Sequence, residues 1–224
     1  MLYSLFRNGF SREALIWVLC SVPIIIMALC VHESAHGIAA KAMGDPTAYN
    51  LGRISLNPRK HLDPIGSLLM FVFGFGWAKP VPINTRYFRN PKWGMAISAL
   101  AGPLSNVICS YIFYVLCVLI ETHLVIRSEG MLIVATTVHA LCYVGYLLNL
   151  SLAVFNLLPV PPLDGSRILF AVLPAKAYFG VMKYERYIYI GVLVLIMTGM
   201  LDIPLALVRQ GITKLFELSI AWMV

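Results

Sequence analysis

Charged side chains are scarce in this sequence: Asp, Glu, Lys and Arg supply 12% of its 224 residues, while 60% are hydrophobic. Soluble domains average about 25% charged and about 45–50% apolar residues, so there is too little charge here to cover a water-facing surface. Cysteine is limited to Cys20, Cys30, Cys109, Cys117 and Cys142, all in apolar stretches and with no C-x-x-C pair. An odd count without paired spacing excludes a disulfide framework and leaves packing thiols. Acidic residues number 10 against 17 Lys and Arg, a net charge of +7. With a mean hydropathy of +0.83, that excess fits cytoplasmic membrane loops and not a nucleic-acid partner. Internal repeats, low-complexity segments and a glycine-rich phosphate loop are also missing, which excludes a solenoid or a P-loop enzyme.

Long apolar runs are what the chain has instead. A spanning helix needs about 20 mostly apolar residues, and four segments qualify: about 14–40, 95–120, 131–158 and 187–201. Asp202 and Pro204 cut the last one short. The N-terminal run follows basic residues as a signal peptide does, but it is too long and no A-x-A-like site follows, so it reads as a retained helix. Residues 41–94 differ, with Gly, Pro, Asn and eight basic residues around a short apolar insert, Ile65 to Phe75. That insert is too short to span and predicts a re-entrant loop. Ala48 to Leu56 (AYNLGRISL) predicts a short β-hairpin at the membrane surface, and 203–224 an interfacial tail. The predicted fold is thus an all-α polytopic membrane protein: about four transmembrane helices, a re-entrant loop and a small surface hairpin.

Counting Lys and Arg orients it. Segments 41–94 and 166–186 share one side of the four-span arrangement and hold twelve of the 17; the opposite side holds five. The positive-inside rule puts those two segments in the cytoplasm and both termini outside. His32 then lies eight residues before Ala40, about 12 Å below the cytoplasmic end of the first helix.

That helix carries His32-Glu33-Ser34-Ala35-His36. H-E-x-x-H sets two imidazoles one helical turn apart on one face, where both reach one zinc ion, with Glu33 beside them as general base. Zinc lowers the pKa of a bound water from 15.7 to about 7, which is why this residue set performs hydrolysis. The five-residue pattern alone is only moderately specific. Its position sharpens it, because ionisable residues inside a span are costly and are functional by default. The plainer alternative is a pair of packing histidines with Glu33 paired elsewhere. A catalytic zinc takes three protein ligands and keeps one position open. Asp164 is the best third ligand, the only acidic residue between Glu129 and Glu185. It ends the run Asn156-Leu-Leu-Pro-Val-Pro-Pro-Leu-Asp164, whose prolines must break the helix, and a broken helix at membrane depth is tolerated where it lines a cavity. A surface turn is the alternative role for Asp164, and His61 and His139 compete with it as ligands.

These residues resemble the site-2 proteases, intramembrane zinc metalloproteases. The resemblance runs from about Ala28 to Leu173. Beyond the histidine motif it includes Asn57 to Gly66 (NPRKHLDPIG), Gly76 to Asn84 (GWAKPVPIN), Ala101 to Asn106 (AGPLSN) and Asn156 to Gly165 (NLLPVPPLDG). It implies hydrolysis of peptide bonds in or next to the transmembrane segment of a membrane-protein substrate, with Zn2+ as cofactor and the lipid bilayer as surroundings. It also implies His32, His36 and Asp164 as metal ligands, Glu33 as base and acid, and Asn156 as a group that binds substrate or oxyanion. Gly102 and Asn106 read first as helix packing. Many members add a PDZ or CBS domain; this chain reads as a minimal form, one membrane-embedded domain over 1–224. The expected location is the cell membrane of a prokaryote. A zinc transporter and a catalytically inactive metal-binding protein are the alternative functions; a transporter usually repeats its acidic or histidine pairs in two halves, and a dead homologue usually loses Glu33 or a ligand. A zincin with Glu185 as its ligand is a further variant, but Glu185 sits in a Lys- and Arg-flanked surface run and reads as solvated. Substrate and oligomeric state are not readable from these residues.

Overall fold

The computed structural model describes residues 12–73, 76–174, 180–181 and 183–222. The stretch before Arg12, Gly74 and Phe75 at the end of the expected insert, and the last two residues of the tail lie outside them. Seven helices of eight residues or more are described: α1 Arg12–Ala42, α2 Pro64–Phe73, α3 Pro91–His123, α4 Glu129–Asn156, α5 Asp164–Val172, α6 Glu185–Met197 and α7 Asp202–Ile220. Three of them (α1, α3 and α4) are long and apolar enough to cross a membrane; a fourth span results only if the bent pair α6–α7 counts as one.

Local chemistry sets the helix boundaries. Asn90 caps α3 by accepting from the Trp93 N–H, with Pro91 at the first helical position, where its missing N–H costs nothing. Ser128 caps α4 through the Met131 N–H, and Glu129 follows in the first turn, where a negative charge suits the helix dipole. Between α4 and α5, Pro159, Pro161 and Pro162 stop the helix. The chain restarts at Asp164, and Gly165 makes that restart possible. A Cβ at Gly165 would stand 2.2 Å from the Leu157 carbonyl oxygen and 2.4 Å from that of Leu158. Only glycine lets α5 begin hard against the end of α4.

The bundle core forms where α1, α3 and α4 meet. Cys20 and Ile24 of α1 pack with Val144 of α4 and Phe113 of α3. The tail is a 19-residue helix, α7, and it docks on the bundle. Phe216 packs with Tyr146, Leu150 and Val154 of α4, and Arg209 donates to the Ser151 hydroxyl at 2.9 Å. Helix α6 has 13 residues, about 20 Å of rise, and α7 turns away from it by 82°. Gly199, at φ 72°, ends α6: the N–H groups of Gly199 and Met200 reach back to the Ile196 and Leu195 carbonyls.

The expected hairpin over Ala48–Leu56 does not form. Thr47–Asn50 is one helical turn, ended by Gly52 at φ 61°, and no strand occurs among the described residues. The reason lies partly across the gap. The neighbouring segment contains Pro80 and Pro82, which cannot donate to a ladder. Contact is made by a side chain instead, as Arg53 Nη2 donates to the Lys79 and Pro80 carbonyls at 2.8 and 3.1 Å. Asp45 starts the helical turn and ties it to the same segment, accepting from the Thr47 N–H, the Thr47 hydroxyl and the Asn84 N–H.

Burial by itself would raise the Asp45 pKa, but those three donors outweigh it and hold the carboxyl below its ordinary value. An unfolded Asp titrates near pH 3.9. A depressed folded pKa therefore stabilises the fold above about pH 4, and that contribution is lost as pH falls through the folded value. Asp45→Asn should lower Tm at pH 7, and the gap to the wild type should close at acid pH. A gap of constant size across the titration would contradict this.

Candidate metal centre

Helix α1 brings His32 and His36 onto one face, their ring centroids 4.6 Å apart and nearly perpendicular. The restart at α5 brings Asp164 to them across 128 residues or more of sequence. Its Oδ2 lies 3.1 Å from His32 Nε2 and 3.3 Å from His36 Nε2. The three donor atoms all lie within 4.8 Å of one another, the one such group of His, Cys, Asp or Glu side chains found among the described residues. All three residues are buried, at 4%, 6% and 9% exposure.

The other ring nitrogens decide what the cluster can hold. His36 Nδ1 lies 2.6 Å from the Ser98 carbonyl, which only accepts, so this nitrogen carries the proton. His32 Nδ1 lies 2.6 Å from Asn106 Oδ1. The Asn106 amide cannot flip without loss, because its NH2 donates to Asn149 Oδ1 at 2.9 Å and to the Ala28 carbonyl at 3.4 Å. Asn149 is held in turn by its NH2 on the Gly145 carbonyl at 2.8 Å. In the neutral imidazoles, proton on Nδ1 means a bare lone pair on Nε2. In that neutral form two lone pairs face a carboxylate oxygen at 3.1–3.3 Å. Such a cluster is stabilised by a cation, and two nitrogens with one carboxylate oxygen suit zinc.

Helix α3 forms the wall. A Cβ at Gly102 would stand 2.5 Å from both Cε1 and Nε2 of His36 and 2.8 Å from Cε1 of His32, so the backbone itself packs against the rings. Beside the pair on α1, the Glu33 carboxylate accepts from the Val81 N–H at 2.8 Å. One residue on, the Ser34 hydroxyl donates to the Ser55 carbonyl at 2.8 Å. The motif is thereby fastened to both loop segments that follow α1.

Of the other sequence candidates, Asn156 ends α4 with its amide NH2 on the Leu152 carbonyl of its own helix, outside the three-residue group. His61 is fully buried and bonds to the Ser55 carbonyl through Nε2 at 2.6 Å. His139 pairs with Glu121 at 2.7 Å. Neither joins the cluster. Sequence reasoning gave Gly102 and Asn106 to helix packing and passed over Asn149 and Ser98. A buried asparagine in an apolar span is itself a signal, and both asparagines carried it.

An H-E-x-x-H helix, an aspartate from a broken span and a bundle of apolar helices define an integral-membrane zinc metallopeptidase. The model of peptidase family M50, the site-2 protease family, matches residues 21–200. The chain belongs to that family, and zinc is its cofactor. Its sequence is 39% identical over 200 residues to the candidate zinc metalloprotease YwhC of Bacillus subtilis, covering 88% of this chain and 90% of the relative. It is 26% identical over 193 residues to the candidate zinc metalloprotease Rip2 of Mycobacterium tuberculosis strain H37Rv, covering 79% and 66%. A zinc metalloprotease of Methanocaldococcus jannaschii is 26% identical over 175 residues, covering 78% of this chain and 40% of its own length. No solved structure gives a significant match.

Proposed function

We propose that this protein hydrolyses peptide bonds within or next to the transmembrane segments of membrane-protein substrates, with His32, His36 and Asp164 as the zinc ligands. The observation that carries the reading is the convergence of the Asp164 carboxylate on His32 and His36, whose ligand atoms lie within 4.8 Å of one another, with both histidines inside the span Arg12–Ala42 and Glu33 next to the first of them. Zinc, when bound, supplies the Lewis acidity that activates water and polarises a carbonyl. Glu33 takes the proton from the attacking water and returns it to the departing amine. The Val81 N–H on its Oε2 fixes the carboxylate while it does so. Asn156 keeps a second amide N–H beyond the one spent on Leu152, and that donor is the one offered to the oxyanion.

The helix ends and the charges support a depth and a side for the site. His32 lies ten residues before Ala42, about 15 Å along the axis. The residues on either side of 63–77 meet: Leu62 pairs with Ala78 and the Lys79 N–H donates to the His61 carbonyl at 2.7 Å. This supports a re-entrant segment on the side rich in Lys and Arg, which the positive-inside rule assigns to the cytoplasm. The bacterial and archaeal relatives support a prokaryotic cell membrane. The whole of 1–224 acts as one membrane-embedded unit in this reading.

Metal analysis of purified variants tests the ligand set. Asp164→Ala should lose most of its zinc, because one ligand of three is removed, whereas His61→Ala should keep it. Unchanged zinc in Asp164→Ala would move the third ligand elsewhere. Asn106→Leu should weaken zinc binding by about 10–100-fold, the usual cost of losing a ligand's hydrogen-bond partner. A dissociation constant within twofold of wild type would show that Asn106 only packs.

A further inference from the structure

An apolar cavity of about 200 Å³ lies between α1 and α2. Val22, Ile26 and Leu29 line it from α1, Leu62 from the residue pair before α2, and Ser67 and Met70 from α2 itself. Two independent links relate it to the metal centre, whose residues begin one helical turn beyond Leu29. Along α1, the lining positions 22, 25, 26 and 29 lie on the broad helix face that carries His32 and Glu33 one turn further on. Across the gap, Leu62 pairs with Ala78, three residues from the Val81 whose N–H holds the Glu33 carboxylate.

The cavity is partly open, a cleft between the two helices that a side chain can enter. An apolar cavity of about 150 Å³ already accepts a benzene molecule, so this one has room for a single leucine or phenylalanine side chain. The Ser67 hydroxyl is a second pointer. It is buried on the cavity wall with no hydrogen-bond partner, although a bare hydroxyl in apolar surroundings is costly. A peptide unwound for hydrolysis bares the N–H and C=O groups that its helix had paired, and a hydroxyl can serve either.

We infer that this cavity is a specificity subsite: it receives the aliphatic or aromatic side chain of the substrate residue next to the scissile bond, on the α1 N-terminal side of Glu33, while Ser67 pairs with that residue's backbone. The inference rests on the peptidase reading above and adds to it a preference for one large apolar residue beside the cleaved bond. Charged and very small residues at that place are poor substrates, because the first would be desolvated without a partner and the second would leave the cavity empty.

The test uses the full-length protein in phospholipid vesicles with model transmembrane peptides. Each peptide has an apolar helix interrupted by Asn-Gly, followed by Gly, Ala, Leu, Phe or Asp at the varied position. The wild type should cleave the Leu peptide about tenfold or more faster than the Gly peptide. Ile26→Trp and Met70→Trp, which fill the cavity from opposite walls, should bring that ratio close to one. If both zinc-loaded variants keep the ratio within twofold of wild type, the subsite is elsewhere. Occupancy is read separately, without catalysis, from a photo-leucine at the varied position bound to zinc-loaded Glu33→Gln. Adducts should map to residues 22–29 or 67–70, and adducts only elsewhere, or none, overturn the inference. Adducts in the cavity without cleavage of any peptide by the wild type would instead contradict the peptidase reading, leaving the cavity a site for an apolar side chain but not a specificity subsite. Cleavage with adducts elsewhere would contradict the subsite and leave the peptidase reading standing.

Discussion

Glu33→Gln protein is expected to keep its zinc and lose peptide hydrolysis by about 10²–10⁴-fold, the usual contribution of a positioned general acid or base. The substitution removes one function and little else. Gln has the same length as Glu, and its Oε1 still accepts from the Val81 N–H that now holds the carboxylate at 2.8 Å. The three donors that face one another are on His32, His36 and Asp164, and the hydrogen bonds that orient the two rings run to Asn106 and Ser98, not to Glu33. What the amide cannot do is take a proton from water at neutral pH. Zinc stoichiometry by metal analysis and the initial rate on a transmembrane substrate separate the two effects. A variant that binds zinc and cleaves at the wild-type rate would sink the assignment of Glu33.

Gly102→Ala is the second large effect, at a residue with no chemistry of its own. Replacing glycine by alanine in a helix interior ordinarily stabilises by about 1 kcal/mol. Here the new methyl group would stand 2.5 Å from Cε1 and Nε2 of His36, and the ring cannot swing aside. Its Nδ1 is held by the Ser98 carbonyl, and its Nε2 faces Asp164. Helix α3 must retreat or the imidazoles must separate; overpacking of this kind costs about 1–3 kcal/mol. Both responses pull the donors out of reach of a common ion. Zinc affinity should fall by about 100-fold, comparable to losing a ligand's supporting partner, while the apo protein keeps its helical content. Gly191→Ala is the control, since a Cβ there meets nothing within 4 Å, and it should bind zinc as the wild type does. Equal zinc affinity in the two variants would contradict the close approach of α3 to the rings.

The histidine pair was legible because helical spacing is a local property, visible in five residues. Asp164 was legible for a different reason. The proline run from Pro159 to Pro162 has to break a span, and a lone acid after it has to be accounted for. The supporting shell was harder to read. Whether Asn106 meets His32, and Asn149 meets Asn106, depends on how α1, α3 and α4 rotate against one another, and no local spacing states that. The hairpin over Ala48–Leu56 does not form because the neighbouring segment has no free donors to pair with it: Pro80 and Pro82 lack an N–H, and the Lys79 and Val81 N–H groups are taken by His61 and Glu33. The break between α6 and α7 was half visible. Asp202 and Pro204 warned that the span was short, and Gly199 at positive φ is the residue that ends it. The docking of α7 on α4 through Phe216 is again tertiary, and a mixed polar and apolar tail fits an interfacial helix equally well.

The most direct test of the account is cleavage in a defined bilayer. Purified wild-type protein and a single-span substrate would be reconstituted together in phospholipid vesicles, and the cut site read by mass spectrometry with and without a zinc chelator. The account predicts a cut within or next to the substrate's apolar segment, abolished by chelation, restored by added zinc, and absent in Glu33→Gln. Cleavage confined to soluble regions far from the membrane, or cleavage that persists in the chelator, would contradict it.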